Sequence, residues 1–222
     1  MENMIVLIGD VVASKELDKS EREQVQSALL TEFENINENS GSIVSPYTIT
    51  LGDEFQALYR NASTLWQDCW AIMATLHPVR VRFSVSAGSI VTPVNEESAI
   101  GMDGPAFYNA RSGIEALKSS GHLFGVQIEG AAENPEKQAR VDLVNYSLQL
   151  LSGKMKSWKK IRYQVLVMLN RGMSVKNIAA ELGISETAVY KNRDDGELEL
   201  VMNLKRSIAK ILNYEYVKGD TA

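Results

Sequence analysis

One cysteine, two histidines and five prolines in 222 residues leave little room for several kinds of chemistry. A single cysteine, Cys69, excludes a disulfide framework within the chain and favours a reducing compartment. It sits between two tryptophans in "WQDCWAIM" and reads as a core thiol, because no histidine or second cysteine lies near it in sequence. With His77 and His122 as the only histidines, a Cys/His zinc site or a Ser–His–Asp triad has almost no parts to draw on. The first apolar run spans only Met4 to Ile8 and follows an acidic residue, so it does not read as a secretory leader. No run approaches the ~20 apolar residues of a membrane span. The expectation is a cytoplasmic chain without a membrane partner.

The bulk composition is ordinary, with 45% hydrophobic and 23% charged residues, and the length suffices for a proper core. The charge is unevenly placed. Residues 1–151 carry 10 Lys/Arg against 20 Asp/Glu, whereas residues 152–222 carry 13 against 8. That asymmetry predicts two modules, 1–151 and 152–222, with different partners, the basic one being a candidate for nucleic acid.

In the first module, "MIVLIG" is a continuous apolar run, as expected of a central strand buried on both faces. A helical period follows through Val25, Ala28, Leu29, Phe33 and Ile36. "SIVSPYTITL" and "EFQALY" read as strands joined at Gly52-Asp53, then "NASTLWQDCWAIMATL" as a helix and "VRVRFSVSAGSIV" as a strand. This β-α-β-β-α-β order predicts an α+β, ferredoxin-like domain with both helices on one face of the sheet. A further helix, the strand "HLFGVQI" and a closing helix over "ARVDLVNYSLQLLSG" complete the module.

The second module is all-α. Its "IAAELGISETAV" has the spacing of a helix-turn-helix: small Ala179 at the crossing, Gly183 in the turn, and apolar Ile178, Leu182, Ile184 and Val189 to lock the helices. Ser185 is placed to cap the second helix. Between Lys154 and Arg193 nine Lys/Arg face only Glu181 and Glu186. Ser185, Glu186, Thr187, Tyr190 and Lys191 are therefore candidates to face base edges and nearby phosphates. Lys159, Lys160, Arg162, Lys176 and Arg193 are candidates to neutralise phosphates. The alternative is a helix corner used for packing alone. The terminal stripe Leu200, Val201, Leu204, Ile208, Ile211 and Leu212 reads as core or as a homodimer interface. The motif resembles the helix-turn-helix of sigma-factor-like and LuxR-like bacterial regulators.

Two carboxylates focus the first module. Asp10 follows the buried strand, Asp53 occupies the hairpin, and in a ferredoxin-like sheet they would converge at one end. Mg2+ takes hard oxygen ligands and is usually held by one or two carboxylates plus substrate phosphates. Gly9 and Gly52, each before an aspartate, would admit a phosphate close to the backbone. Glu54, one residue past Asp53, is expected to face away from it, toward solvent or a salt bridge.

"LIGDVVASKEL", "TITLGDEFQALY", "VRFSVSAGSIV" and "GMDGPAFYNARSGIEAL" together resemble, in order, the metal segments, following strand and nucleotide loop of class III nucleotide cyclases. The hairpin is also similar to that of GGDEF-type diguanylate cyclases. The whole chain most closely resembles the SatD family. The resemblance implies Mg2+ at Asp10 and Asp53, nucleotide contacts from Gly9, Gly52, Gly104, Asn109 and Arg111, and Arg111 as a candidate catalytic group. Departures accompany it. Ile49 stands where cyclases keep a base-selecting lysine, Phe107 where they keep an asparagine, and Leu51 where GGDEF proteins keep a glycine. The resulting expectation is a bacterial DNA-binding regulator with a Mg/nucleotide-binding sensor palm. Two alternatives stay open: an active nucleotide cyclase or related phosphoryl-transfer enzyme using Asp10 and Asp53, and a merely polar rim at the end of the sheet.

Overall fold

A computed structural model describes residues 2–218. Residues 219–222 of the expected second module lie outside the described residues. The first strand, β1 (Glu2–Val11), takes the centre of a five-stranded sheet because its side chains are apolar on both faces. Met4, Val6 and Ile8 are buried on one side, and Ile5, Leu7 and Val11 on the other. α1 (Lys19–Asn39) starts at a capping box in which the Asp18 side chain accepts from the Glu21 amide (2.8 Å) and the Glu21 side chain from the Asp18 amide (2.9 Å). The hairpin of β2 (Ile43–Leu51) and β3 (Glu54–Tyr59) turns at Gly52, whose φ of 65° is why a glycine stands there. α2 (Leu65–Leu76), β4 (Val81–Ile90), α3 (Pro105–Ser120) and β5 (Phe124–Ile128) complete the sheet in the order β2-β3-β1-β4-β5. All neighbours are antiparallel except β4 and β5, which run parallel across α3.

α1 and α2 cover one face, as the ferredoxin-like order predicts. The opposite face is not bare. α3 lays Ala106, Phe107, Ala110 and Ile114 on Met4, Val6, Ile8, Leu58 and Ile90. This second layer is what carries charged side chains to the end of the sheet.

Four more helices follow α4 (Pro135–Met155): α5 (Lys160–Asn170), α6 (Val175–Leu182), α7 (Glu186–Gly196) and α8 (Leu198–Lys218). The expected boundary at 151/152 falls inside α4. Leu151 and Ser152 are buried, and the Ser152 hydroxyl accepts from the Leu123 amide at 3.2 Å, so the helix belongs to the sheet side as far as Met155. Beyond it the helices share one continuous apolar core with α2 and the sheet. The α8 stripe is part of that core: Leu198, Val201, Ile208 and Leu212 are buried, while Leu200, expected among them, is 62% exposed.

The junction also contains a buried acid. Asp68 on α2 is 4% exposed and accepts from Tyr59 (2.8 Å) and Ser40 (3.2 Å), with the Tyr47 hydroxyl 2.8 Å from that of Tyr59. Burial pushes its carboxyl up from an ordinary 3.8 to about 6, against the hydrogen bonds from Tyr59, Ser40 and Thr64 and the charge of Lys205. The folded chain therefore holds this proton through a window where the unfolded chain has lost it. Stability falls as pH rises from about 4 to about 6, by roughly 1.4 kcal/mol per unit, and levels off above. Asp68→Asn should remove that slope, so that urea melts show the variant gaining on the wild type between pH 5 and pH 7. A constant gap would contradict the assignment.

Candidate functional site

Antiparallel pairing fixes the site before any side chain is considered. Asp10 on β1 stands opposite Glu54 on β3 and opposite Arg82 on β4. Directly paired residues share a face of the sheet, here the α3 face. Asp10 is 3% exposed and Glu54 9%, so two carboxylates lie side by side with little water to screen them.

Cations meet both of them. Arg82 Nη1 donates to Asp10 Oδ2 at 2.7 Å, and Lys118 Nζ lies 3.6 Å from Asp10 Oδ1. Lys118 also donates to Glu54 Oε1 at 3.0 Å and to Glu115 at 3.0 Å, while Arg111 pairs with Glu54 Oε2. Arg111 and Lys118 are seven residues apart on α3, two turns on one face, which is how one helix brings both to Glu54. Burial alone would raise the Glu54 carboxyl; the hydrogen bonds from Lys118 and Arg111 outweigh it and hold the group below the ordinary carboxylate range. For Lys118, burial acts downward, but the hydrogen bonds to Glu54 and Glu115 and the charges of Asp10 and Glu54 prevail and raise it.

The register sets Glu54 directly beside Asp10, while Asp53, the expected partner, stands in the turn at the edge of the same cavity. Glu54 does make the salt bridges that were one of its two expected fates, but it points toward Asp10. Asp53 belongs to the turn rather than to β3, and strand alternation does not govern its direction. Its carboxylate accepts from Ser14 Oγ, and its carbonyl from the Val11 amide at 3.3 Å. Asp53 still borders the same cavity of about 640 Å³ as Asp10, Glu54, Arg82 and Lys118. Behind the Ser14–Asp53 contact lies an apolar slot of about 310 Å³ floored by Val11, Leu29, Ile49 and Phe55. Ala13, at the lip of the larger cavity, is left-handed (φ 57°), unusual for a residue with a Cβ.

Two of the three candidate glycines, Gly9 and Gly104, have packing reasons. A Cβ at Gly9 would lie within the ring of Phe55, so this residue faces the core rather than a phosphate. At Gly104, φ is 147° and a Cβ would lie 2.6 Å from the Ser89 carbonyl oxygen. Asn109 is half-buried on α3, two residues and about 200° of helix from Arg111, so the two do not face the same partner.

A divalent ion at Asp10 and Asp53 would need oxygens that are otherwise engaged: both Asp10 oxygens face cations, and an Asp53 oxygen accepts from Ser14. Among the described residues no group of three or more His, Cys, Asp or Glu is placed to hold a metal ion. In this arrangement the residues present do not fit a resident Mg2+.

In the C-terminal helices, Ser174 caps α6 (3.2 Å to the Asn177 amide) and Ser185 caps α7 (3.1 Å to the Ala188 amide). Gly183 between them has φ 64°, and Ile178, Ala179 and Val189 are buried at the crossing. Glu186, Thr187, Tyr190, Lys191, Lys159, Lys160 and Lys176 are exposed, as expected. Arg162 and Arg193 are not free to the same degree. Arg162 is 3.7 Å from Asp195, and Arg193 pairs with Asp194 (2.8 Å) and lies 4.8 Å over the Tyr190 ring.

The five-stranded sheet of this α+β protein, with α1 and α2 on one face, resembles a nucleotide-cyclase palm domain. The chain belongs to the SatD family, whose model matches residues 4–212. No curated protein matches it. Among solved structures it is similar to a bacterial light-regulated adenylyl cyclase, at 15% identity and TM-score 0.43, over 56% of this chain and 75% of that one. It is also similar to the guanylate cyclase domain of RhGC from Catenaria anguillulae in complex with GTP, at 14% identity and TM-score 0.39, over 56% and 78%. A regulator of polyketide synthase expression from Bifidobacterium adolescentis aligns over 99% of this chain and 82% of that one, at 16% identity and TM-score 0.25. No described helix is long and apolar enough to cross a membrane.

Arg82 is the partner of the more deeply buried acid, and its removal would leave Asp10 to the longer approach of Lys118. Arg82→Met should destabilise the fold by about 3 kcal/mol, in the range for breaking one side of a buried pair. Adding Asp10→Asn should recover most of that loss. A double-mutant cycle by urea denaturation checks this, and strict additivity would contradict it.

Proposed function

We propose that this SatD-family protein is a DNA-binding regulator whose palm responds to a nucleotide-like, phosphorylated ligand. The observation that carries the DNA half is the capped α6–α7 pair. Its buried crossing at Ala179 and Val189 and the Gly183 turn support a helix-turn-helix reading, in which Thr187, Tyr190 and Lys191 on α7 and Lys176 on α6 are exposed. The ligand half is supported by the cavity beside Asp10 and Glu54. Phosphate oxygens are chemically equivalent competitors of the Glu54 carboxylate for Arg111, whose side chain is 46% exposed, and for Lys118. Exchange of Glu54 for phosphate would loosen α3 from β3. β3 runs from Glu54 at this cavity to Tyr59, which holds Asp68 at the junction with α5 and α8. On this reading the palm extends to Met155, and Lys160 begins the DNA-reading unit.

Fluorescence anisotropy on a random duplex tests the DNA half. Lys160→Ala with Lys191→Ala should weaken binding and lower the slope of log K against log salt by about 1.8, roughly 0.9 for each phosphate no longer neutralised. An unchanged slope would remove these lysines from the interface. No binding by the wild type at low salt would reject the DNA reading.

A further inference from the structure

We propose that Lys118 is a tethered cation standing where a divalent metal would bridge the carboxylates of Asp10 and Glu54, so that this site holds its anionic ligand without metal. The ligand clause rests on the reading above; the metal clause stands on geometry alone.

Register places the two carboxylates together, and neighbouring buried carboxylates repel unless a cation or a shared proton lies between them. The ion between them is the ammonium of Lys118, 3.0 Å from Glu54 Oε1 and 3.6 Å from Asp10 Oδ1. The outer oxygens are closed as well, Asp10 Oδ2 by Arg82 at 2.7 Å and Glu54 Oε2 by Arg111. Each of the four oxygens already faces a cation. Mg2+ requires near-octahedral oxygens and keeps several waters, and an ion at these two carboxylates would sit among the like charges of Lys118, Arg82 and Arg111. A metal entering here would also lie against the ammonium it displaced, because α3 is packed on the sheet through Ala106, Ala110 and Ile114 and holds the root of Lys118 in place. A ligand phosphate has the opposite relation to these groups. It brings negative charge to Lys118 and Arg111 at their exposed side, and it needs no ion to mediate the contact.

The test uses the full chain and two probes. Free Mn2+ is followed by electron paramagnetic resonance in wild type, Lys118→Met, and Lys118→Met with Asp10→Asn; Lys118→Gln replaces the methionine variant if that one fails to fold. The expected result is no Mn2+ uptake by the wild type, uptake at least about tenfold tighter in the Lys118 variant, and its disappearance in the double variant. Wild-type uptake abolished by Asp10→Asn would overturn the proposal, as would no gain in the Lys118 variant. Thermal shift with inorganic pyrophosphate in EDTA and in Mg2+ tests the ligand clause. A shift in EDTA that Arg111→Ala abolishes supports it. A shift seen only with Mg2+ overturns it while leaving the phosphorylated-ligand reading intact. No shift in either buffer removes both.

Discussion

The pairing of Asp10 with Glu54 across β1 and β3 constrains everything at this end of the molecule. Antiparallel register leaves no choice about which side chains meet: once Ile8 pairs with Gln56, Asp10 must pair with Glu54 and share its face. Two acids are then forced together near the end of a buried strand, and the remaining structure answers them. β4 contributes Arg82 from the other side of β1, and α3 contributes Arg111 and Lys118 from above. The apolar packing of α3 on Met4, Val6, Ile8 and Leu58 fixes the height from which those side chains descend. The ion cluster and the small α3 core are therefore one feature.

Much of the fold was legible because it rests on periodicity. The run Met4–Ile8, the hairpin at Gly52, the alternation through Val81 and Phe83 and the Gly183 turn each report a local rule, and each element appears where its rule placed it. The site was legible only in part because it depends on register. Alternation counted from Asp53 sends Glu54 away from it, which is sound for two strand residues; Asp53 is a turn residue, and the face of Glu54 is set by Asp10, more than forty positions earlier in the chain. Arg82 is likewise visible as a polar position in "VRVRF" but acquires a partner only through β1. Lys118 carried a usable signal, since its spacing of seven from Arg111 places both on one face of a helix. Gly9 shows the converse. A glycine next to a candidate ligand invites a phosphate reading, whereas here it makes room for the ring of Phe55, its cross-strand partner on β3.

The charge asymmetry between an acidic palm and a basic, helical segment suggested two modules with different partners. The helices of the second continue the apolar core of the sheet. Polar contacts reinforce the seam: Asn170 donates to Gln67 at 2.8 Å, Lys205 to Asn170 at 2.6 Å, and the Ala62 amide to Asn213 at 2.8 Å. The Asp68 carboxyl sits in this seam, held by the last residue of β3.

The distribution of charge on α7 bears on how DNA would be read. Its C-terminal turn carries Asp194 and Asp195, and these draw Arg193 and Arg162 into ion pairs at the side of the bundle. Arginine is the residue best suited to bidentate contact with guanine edges, and both nearby arginines already face acids. What remains on the outward faces is lysine, with Thr187 and Tyr190. Lysines supply phosphate affinity that falls steeply with salt and carries little sequence information. Discrimination between sequences would then rest on the first turn of α7, where Glu186 and Thr187 follow the Ser185 cap. On the proposed DNA-binding reading a glutamate there would accept from a cytosine amino group and repel phosphate, so that tight binding and selection would fall to different parts of the same helix.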